Sequence, residues 1–133
     1  MTNLMDIYQE EVMDHYEHPR NQGELTGEDV VTARDANASC GDIVQFYFKI
    51  RNHQTPNSNN QIIEEVKWKG IGCAITTAAA SKLSEYLQGR TLQELGKMSD
   101  DQLLKQAIGF EVNPGRMKCL TLPVKVVRKI LGS

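Results

Sequence analysis

The sequence predicts an α+β fold, with helices packed on one face of a small antiparallel sheet. Three observations predict it. Residues Ile43 to Arg51 alternate, with Val44, Phe46, Phe48 and Ile50 on one side and Gln45, Lys49 and Arg51, together with Tyr47, on the other. Ile62 to Lys69 repeats the pattern, with Val66 and Trp68 inward and Lys67 and Lys69 outward, and the polar stretch Asn52 to Asn60 joins the two runs as an antiparallel pair. From Cys73 onward the apolar spacing becomes helical and remains so. Strands followed by helices segregate into a sheet with a helical layer on one face.

The elements follow in order. Leu4, Ile7, Tyr8, Val12 and Tyr16 form the stripe of a first helix, which Pro19 stops, and Asn21-Gln22-Gly23 is a turn. Val30 and Val31 predict a short strand before a polar segment from Arg34 to Ser39. Cys73 to Gln88 is a helix with Ile75, Ala79, Leu83, Tyr86 and Leu87 on its apolar side and Gly89 as its C-terminal cap. Thr91-x-x-Glu94 and Ser99-x-x-Gln102 are capping-box patterns and predict two short helices. After the loop Asn113-Pro114-Gly115, a last helix carries Leu120, Val124, Val127 and Leu131. Pro123 is tolerated only near its start, which puts Cys119 at or just before the first turn.

Length and composition bound the function. A chain of 133 residues, 40% hydrophobic and 24% charged, suits one soluble domain spanning residues 1–133. A formal charge of −2 offers no general attraction for nucleic acid, and Lys67, Lys69, Lys125, Arg128 and Lys129 read as a solvated rim. No stretch is apolar enough to span a bilayer. Met1 to Glu11 carries Asp6, Glu10 and Glu11 and no basic residue, unlike a secretory leader, so a cytoplasmic protein is expected. Walker A, G-x-G-x-x-G and G-x-S-x-G patterns are absent, and nothing supports nucleotide binding.

The chemistry is concentrated in three cysteines. Cys40, Cys73 and Cys119 are an odd number with no close pair, a pattern unlike a disulfide framework; in a reducing compartment they are free thiols, metal ligands or nucleophiles. Each stands at a junction between elements. Cys40 precedes Gly41-Asp42 and the best strand, so its thiol and the Asp42 carboxylate can face one site. Cys73 follows Lys69-Gly70-Ile71-Gly72 and opens a helix, where the thiolate is favoured. Cys119 follows Arg116 and Lys118, two cations expected to lower its pKa. A lone cysteine is more often a small buried hydrophobe than a ligand, and these spacings do not by themselves show that the sulfurs converge. If they do, three thiolates select zinc, copper(I) or iron–sulfur clusters over magnesium or calcium. Three thiolates plus a carboxylate also complete a tetrahedral zinc site, and a hard oxygen in place of a fourth thiolate loosens the grip on cluster iron. His15 and His18 read as surface or helix-end residues, His53 as a solvated loop residue, and Trp68 and Tyr47 as sheet packing.

Four segments together resemble the IscU/SufU/NifU N-terminal family of iron–sulfur assembly proteins. They are Tyr8 to Gly23 with His15-Tyr16-Glu17-His18-Pro19-Arg20-Asn21-Gln22-Gly23, then Ala38-Ser39-Cys40-Gly41-Asp42, then Gly70-Ile71-Gly72-Cys73-Ala74-Ile75 with the small-residue run Thr76 to Ser81, and finally Arg116-Met117-Lys118-Cys119. The resemblance implies a three-stranded antiparallel sheet with helices on one face. It implies that Cys40, Asp42, Cys73 and Cys119 gather at one exposed end as ligands of iron and of a transient [2Fe–2S] cluster, with zinc possible at the same site. Cys119 and Cys73 are then persulfide acceptors, and Asp42 is the labile oxygen ligand. The implied function is a scaffold that takes sulfur from a cysteine desulfurase and passes the cluster to recipient apo-proteins or carrier proteins, and it is not an enzyme in its own right. The alternative is a zinc-dependent sulfurtransferase that accepts persulfide sulfur from a SufS-type desulfurase; a structural zinc domain is a third reading.

The chain falls between branches. Lys118 stands where the IscU branch has a His, and Arg116-x-Lys118-Cys119 is similar to the SufU branch, whose extra segment between the second and third cysteines is absent or shortened here. Asn113-Pro114-Gly115-Arg116 replaces the Leu-Pro-Pro-Val-Lys chaperone signal, and Leu122-Pro123-Val124-Lys125 lies past the cysteine and lacks one proline. The resemblance therefore does not extend to an Hsp70-type chaperone.

Overall fold

A computed structural model describes residues 4–38, 41–51 and 61–131. Helix α1 (Leu4–Glu17) leads into three antiparallel strands, β1 (Val30–Asn37), β2 (Asp42–Arg51) and β3 (Ile62–Ile71), ordered β1-β2-β3. Then come α2 (Ala74–Leu87), the short helices α3 (Leu92–Gly96) and α4 (Asp100–Leu103), a π-helical turn (Leu104–Ile108), a 3-10 turn (Pro114–Arg116) and α5 (Met117–Leu131). Helix α5 packs on β1 and β2, α2 packs on β3 and on α5, and α1 covers α2. This is the α+β arrangement that the patterning predicts, with the three-stranded sheet that the family resemblance implies.

The alternation of β2 is realised: Val44, Phe46, Phe48 and Ile50 are all buried beneath α2 and α5. On β3 the alternation slips. Val66 and Trp68 point inward, and so does Ile63, because a bulge opposite Lys49/Ile50 puts an extra residue between them. Strand β1 is longer than expected. It runs through Asn37, well into the polar segment, because that face is open to solvent and needs no apolar residues.

Both capping boxes form. Thr91 and Ser99 each accept from the amide three residues on, and Glu94 and Gln102 bond back to the cap amides. Gly89 ends α2 in the left-handed region at φ 88°. Pro123 lies inside α5, against the expectation that it marks the start. It has no N–H for the Cys119 carbonyl four residues back. Burial of Leu122, Pro123 and Val124 offsets that loss. The basic rim is paired with acids: Lys69 with Glu24, Lys67 with Glu65, Arg128 with Asp100 and Lys129 with Asp35.

The α1 stripe needs correction at its end, since Tyr16 is exposed and His15 is the buried residue; the side chains of Leu4, Ile7 and Tyr8 lie outside those described. His15 Nδ1 is 2.7 Å from Ser81 Oγ on α2, and that hydroxyl also accepts from the Arg20 amide at 2.9 Å. Trp68 Nε1 donates to the Arg20 carbonyl at 2.8 Å. Residues 21–23 then run alongside β3, bonded through both backbone groups of Trp68, with Asn21 at φ 62°. The segment from His15 to Gly23 is therefore a strap across α2 and the sheet edge. His18 is exposed, and His53 lies outside the described residues.

His15 has a consequence for stability. Its pKa is held below the ordinary 6.5, first by burial and then by the Arg20 charge, with Lys82 acting the same way and Glu85 and Asp14 opposing. The unfolded chain therefore takes up a proton that the folded chain refuses, so stability falls as pH drops below about 6.5. Urea unfolding of the metal-free protein should lose up to about 1.4 kcal/mol per pH unit in that window. His15→Gln should flatten the profile; an unchanged slope would contradict the assignment.

Candidate metal and sulfur site

The strand register brings the site together. Ile43 of β2 pairs with Ile71 of β3, which sets Asp42 at the start of one strand beside Gly72 and Cys73 at the end of the next. A Cβ on Gly70 would run into the Ile43 carbonyl, so only glycine permits this close crossing. Gly41 precedes Asp42 at φ 74°, again a glycine conformation. Helix α5 is tied in from the other side, where Asn37 Nδ2 donates to the Lys118 carbonyl at 3.0 Å. Cys119 lies in the first turn of α5, and Cys73 is the N-cap residue of α2.

One carboxylate oxygen of Asp42 and the sulfurs of Cys73 and Cys119 all lie within 4.8 Å of one another. Residues far apart in the chain thus share one centre. Cys40, the remaining predicted ligand, lies outside the described residues. A cavity of about 330 Å³ opens over the cluster, lined by Gly41, Asp42, Ile71, Gly72, Cys73, Arg116 and Cys119. A longer groove of about 740 Å³ shares Cys73 and Arg116 and continues past Met13, Ile75, Phe110 and Val112. Ile71 is 73% exposed beside this mouth, with its strand partner Ile43 also exposed.

The two thiols differ. Burial by itself raises the Cys73 pKa, but the Thr76 hydroxyl, the Thr76 amide, the Cys119 thiol and the Ile75 amide outweigh it, so Cys73 is held below its ordinary value. Those amides are at the N-terminus of α2, whose positive end favours the thiolate. Cys119 behaves in the opposite way to the expectation from Arg116 and Lys118. It is only 3% exposed, and burial, followed by the neighbouring Cys73 and then Asp42, pushes its pKa up to about 11. Burial outweighs any effect of the adjacent cations. In the metal-free protein, iodoacetamide should therefore alkylate Cys73 at least about tenfold faster than Cys119. Peptide mapping against time checks this, and equal rates would contradict it.

Thr76 was not among the residues singled out from sequence. It is on the first turn of α2, three residues after Cys73 and hence on the same face. It is 2% exposed; its hydroxyl donates to Asp42 Oδ2 at 3.0 Å and is 3.5 Å from Cys73 Sγ. The available signal was that spacing from a helix-opening cysteine.

The donor set fits a thiophilic ion. Two sulfurs and one carboxylate in mutual reach suit tetrahedral zinc or iron and are poor ligands for magnesium or calcium.

Comparison with known proteins agrees with the site. The model of the NifU-like N terminal domain matches residues 7–132. The "Iron-sulfur cluster assembly scaffold protein IscU" of Haemophilus influenzae is 32% identical over 127 residues, covering 94% of this chain and 93% of its own. The "Zinc-dependent sulfurtransferase SufU" of Bacillus subtilis is 30% identical over 143 residues, covering 96% and 90%. The crystal structure of a NifU-like protein (N-terminal) from Brucella abortus has the same fold, with a TM-score of 0.69 at 17% identity, covering 95% of this chain and 92% of that one. A match over nearly the whole length, on a fold that places Asp42, Cys73 and Cys119 around one centre, means that the chain belongs to the NifU-like N-terminal domain family.

Proposed function

We propose that the protein is an iron–sulfur cluster assembly scaffold, which accepts sulfur from a cysteine desulfurase, binds iron and transiently holds a [2Fe–2S] cluster for transfer. The observation that carries this reading is the convergence of Asp42, Cys73 and Cys119 within 4.8 Å at a cavity open to solvent. Cys40, two residues before Asp42, completes the ligand set, and the protein works in the cytoplasm. Relatives named as scaffold and as sulfurtransferase, together matched over more than nine-tenths of the chain, support the same chemistry.

Sulfur arrives by thiol exchange. A scaffold thiolate attacks the outer sulfur of the desulfurase persulfide, a new S–S bond forms on the scaffold, and the desulfurase thiolate leaves with the electron pair of the broken bond. Cys73 and Cys119 are the acceptors, and Cys73 is the better exposed. An external electron donor, a free thiol or a reduced redox protein, supplies the two electrons that release the persulfide's outer sulfur as sulfide; iron and sulfide are then cargo, held by the thiolates and by the Asp42 oxygen. A hard oxygen binds soft cluster iron less firmly than a thiolate, which suits a carrier that must release its load. Recipient apo-proteins or carrier proteins take the cluster.

The test is anaerobic reconstitution with ferrous iron, cysteine and a desulfurase. A sulfur-to-iron charge-transfer band that survives desalting is expected. Asp42→Ala should lengthen the cluster's lifetime toward an acceptor by at least about threefold; an unchanged or shorter lifetime would count against the labile-oxygen argument. A second reading is favoured by Arg116 lining both cavities next to Lys118-Cys119: a zinc-dependent sulfurtransferase that speeds a SufS-type desulfurase. Tight zinc, no band and faster desulfurase turnover would establish it in place of the scaffold.

A further inference from the structure

A threonine inside a helix ordinarily turns its hydroxyl back to a carbonyl of its own preceding turn. Thr76 does not. Its hydroxyl leaves α2, crosses to the start of β2 and donates to Asp42 Oδ2 at 3.0 Å, from a position only 2% exposed. The same oxygen is 3.5 Å from Cys73 Sγ. One hydroxyl thus lies between the carboxylate and a thiol of the cluster.

The surroundings hold the pair in place. A Cβ on Gly72 would be 3.0 Å from Asp42 Oδ1 and 3.0 Å from Thr76 Cβ, so the Gly72 backbone is pressed against both partners. Asp42 itself is 3% exposed, and its described side-chain hydrogen bond is the one from Thr76. A carboxylate so buried gains both its solvation and its orientation from that hydroxyl.

We propose that Thr76 is a positioning residue for the metal and sulfur site. Its hydroxyl occupies one oxygen of Asp42 and turns the carboxylate into a one-oxygen ligand aimed at an ion shared with Cys73 and Cys119. The inference rests on the reading of this cluster as a metal-holding site. Outer hydrogen bonds of this kind typically change metal affinity 10- to 100-fold. Zinc is the suitable probe because it takes carboxylate oxygen readily, so a misplaced Asp42 registers as weaker binding.

The experiment measures zinc affinity by competition with a chromophoric chelator, alongside the visible bands of the cobalt(II)-substituted protein. Thr76→Val keeps the shape and removes the hydroxyl; zinc affinity should fall about 10- to 100-fold and the cobalt bands should shift. Thr76→Ser restores a hydroxyl and should bind within about threefold of the parent. In an Asp42→Ala background, adding Thr76→Val should cause no further loss, because the partner it positions is gone. A purely structural role would instead give the same loss in both backgrounds. Should Thr76→Val not fold, as thermal unfolding of the metal-free protein would reveal, Thr76→Ala against Thr76→Ser makes the same comparison. Wild-type affinity in Thr76→Val, or equal losses with and without Asp42, would overturn the role of Thr76 alone. Failure of the parent protein to bind zinc, cobalt or a cluster would overturn the functional reading and the inference with it.

Discussion

Cys73→Ser lowers zinc affinity by more than about 100-fold and leaves no cluster band after reconstitution and desalting. The expectation follows from ligand softness. A serine hydroxyl stays protonated at neutral pH and offers a hard oxygen where a thiolate stood, so a soft bond is removed and nothing comparable replaces it. A hundredfold loss corresponds to about 2.7 kcal/mol, well within the strength of one metal–thiolate bond. Cys73 is the cleaner position because it is half-exposed at the N-cap of α2, where serine is also a good capping residue. The fold should therefore survive the change. Cys119→Ser should abolish holding equally, but Cys119 is 3% exposed and its replacement buries a hydroxyl where a thiol was packed. A loss of roughly 1–2 kcal/mol in metal-free stability is expected there as well. Cys40→Ser belongs to the same series. Retention of zinc within threefold by Cys73→Ser would remove that residue from the ligand set.

The second large effect is on the fold. Trp68 is 2% exposed on β3 and is among the largest fully buried side chains. Its ring fills the layer between the sheet and α2, its Nε1 donates to the Arg20 carbonyl, and both its backbone groups bond residues 21 and 23. Truncation removes the core volume and the strap's anchor together. Trp68→Ala should cost about 3–5 kcal/mol, and the melting temperature of the metal-free protein should fall by more than about 10 °C. The metal must be absent, since a bound ion would stabilise the native state and mask the loss. Trp68→Phe keeps one aromatic ring but loses the N–H and part of the buried volume, so its cost should be about 1–3 kcal/mol, smaller than that of alanine. A loss below about 1.5 kcal/mol for the alanine variant would mean that the strap and core are not coupled through this residue.

Much of the fold was legible because local physics writes it directly. The β2 alternation, the two capping boxes and Gly89 each depend on neighbours within a few residues, and each forms as read. Misreadings occurred where distant packing overrides a local rule. Pro123 is tolerated inside α5 because that helix is buried on two strands and on α2. Helix α2 buries Ala78, Ala80, Ser81 and Ser84 beyond its predicted stripe, because α1, α5 and the sheet enclose it on several sides. His15 read as a surface residue because its partner, Ser81, is on another helix.

The candidate site divides the same way. The sequence by itself determined the family, the soft-ligand chemistry and the placement of cysteines at element junctions, since residue type and local periodicity carry that information. Only the tertiary structure decided that Asp42, Cys73 and Cys119 share one centre, that Cys119 is the buried, proton-holding thiol, and that Thr76 stands between them. Those facts arise from strand register and helix docking, which bring together groups remote along the chain, and from desolvation, which outweighs the charge of a sequence neighbour once the sulfur turns away from water.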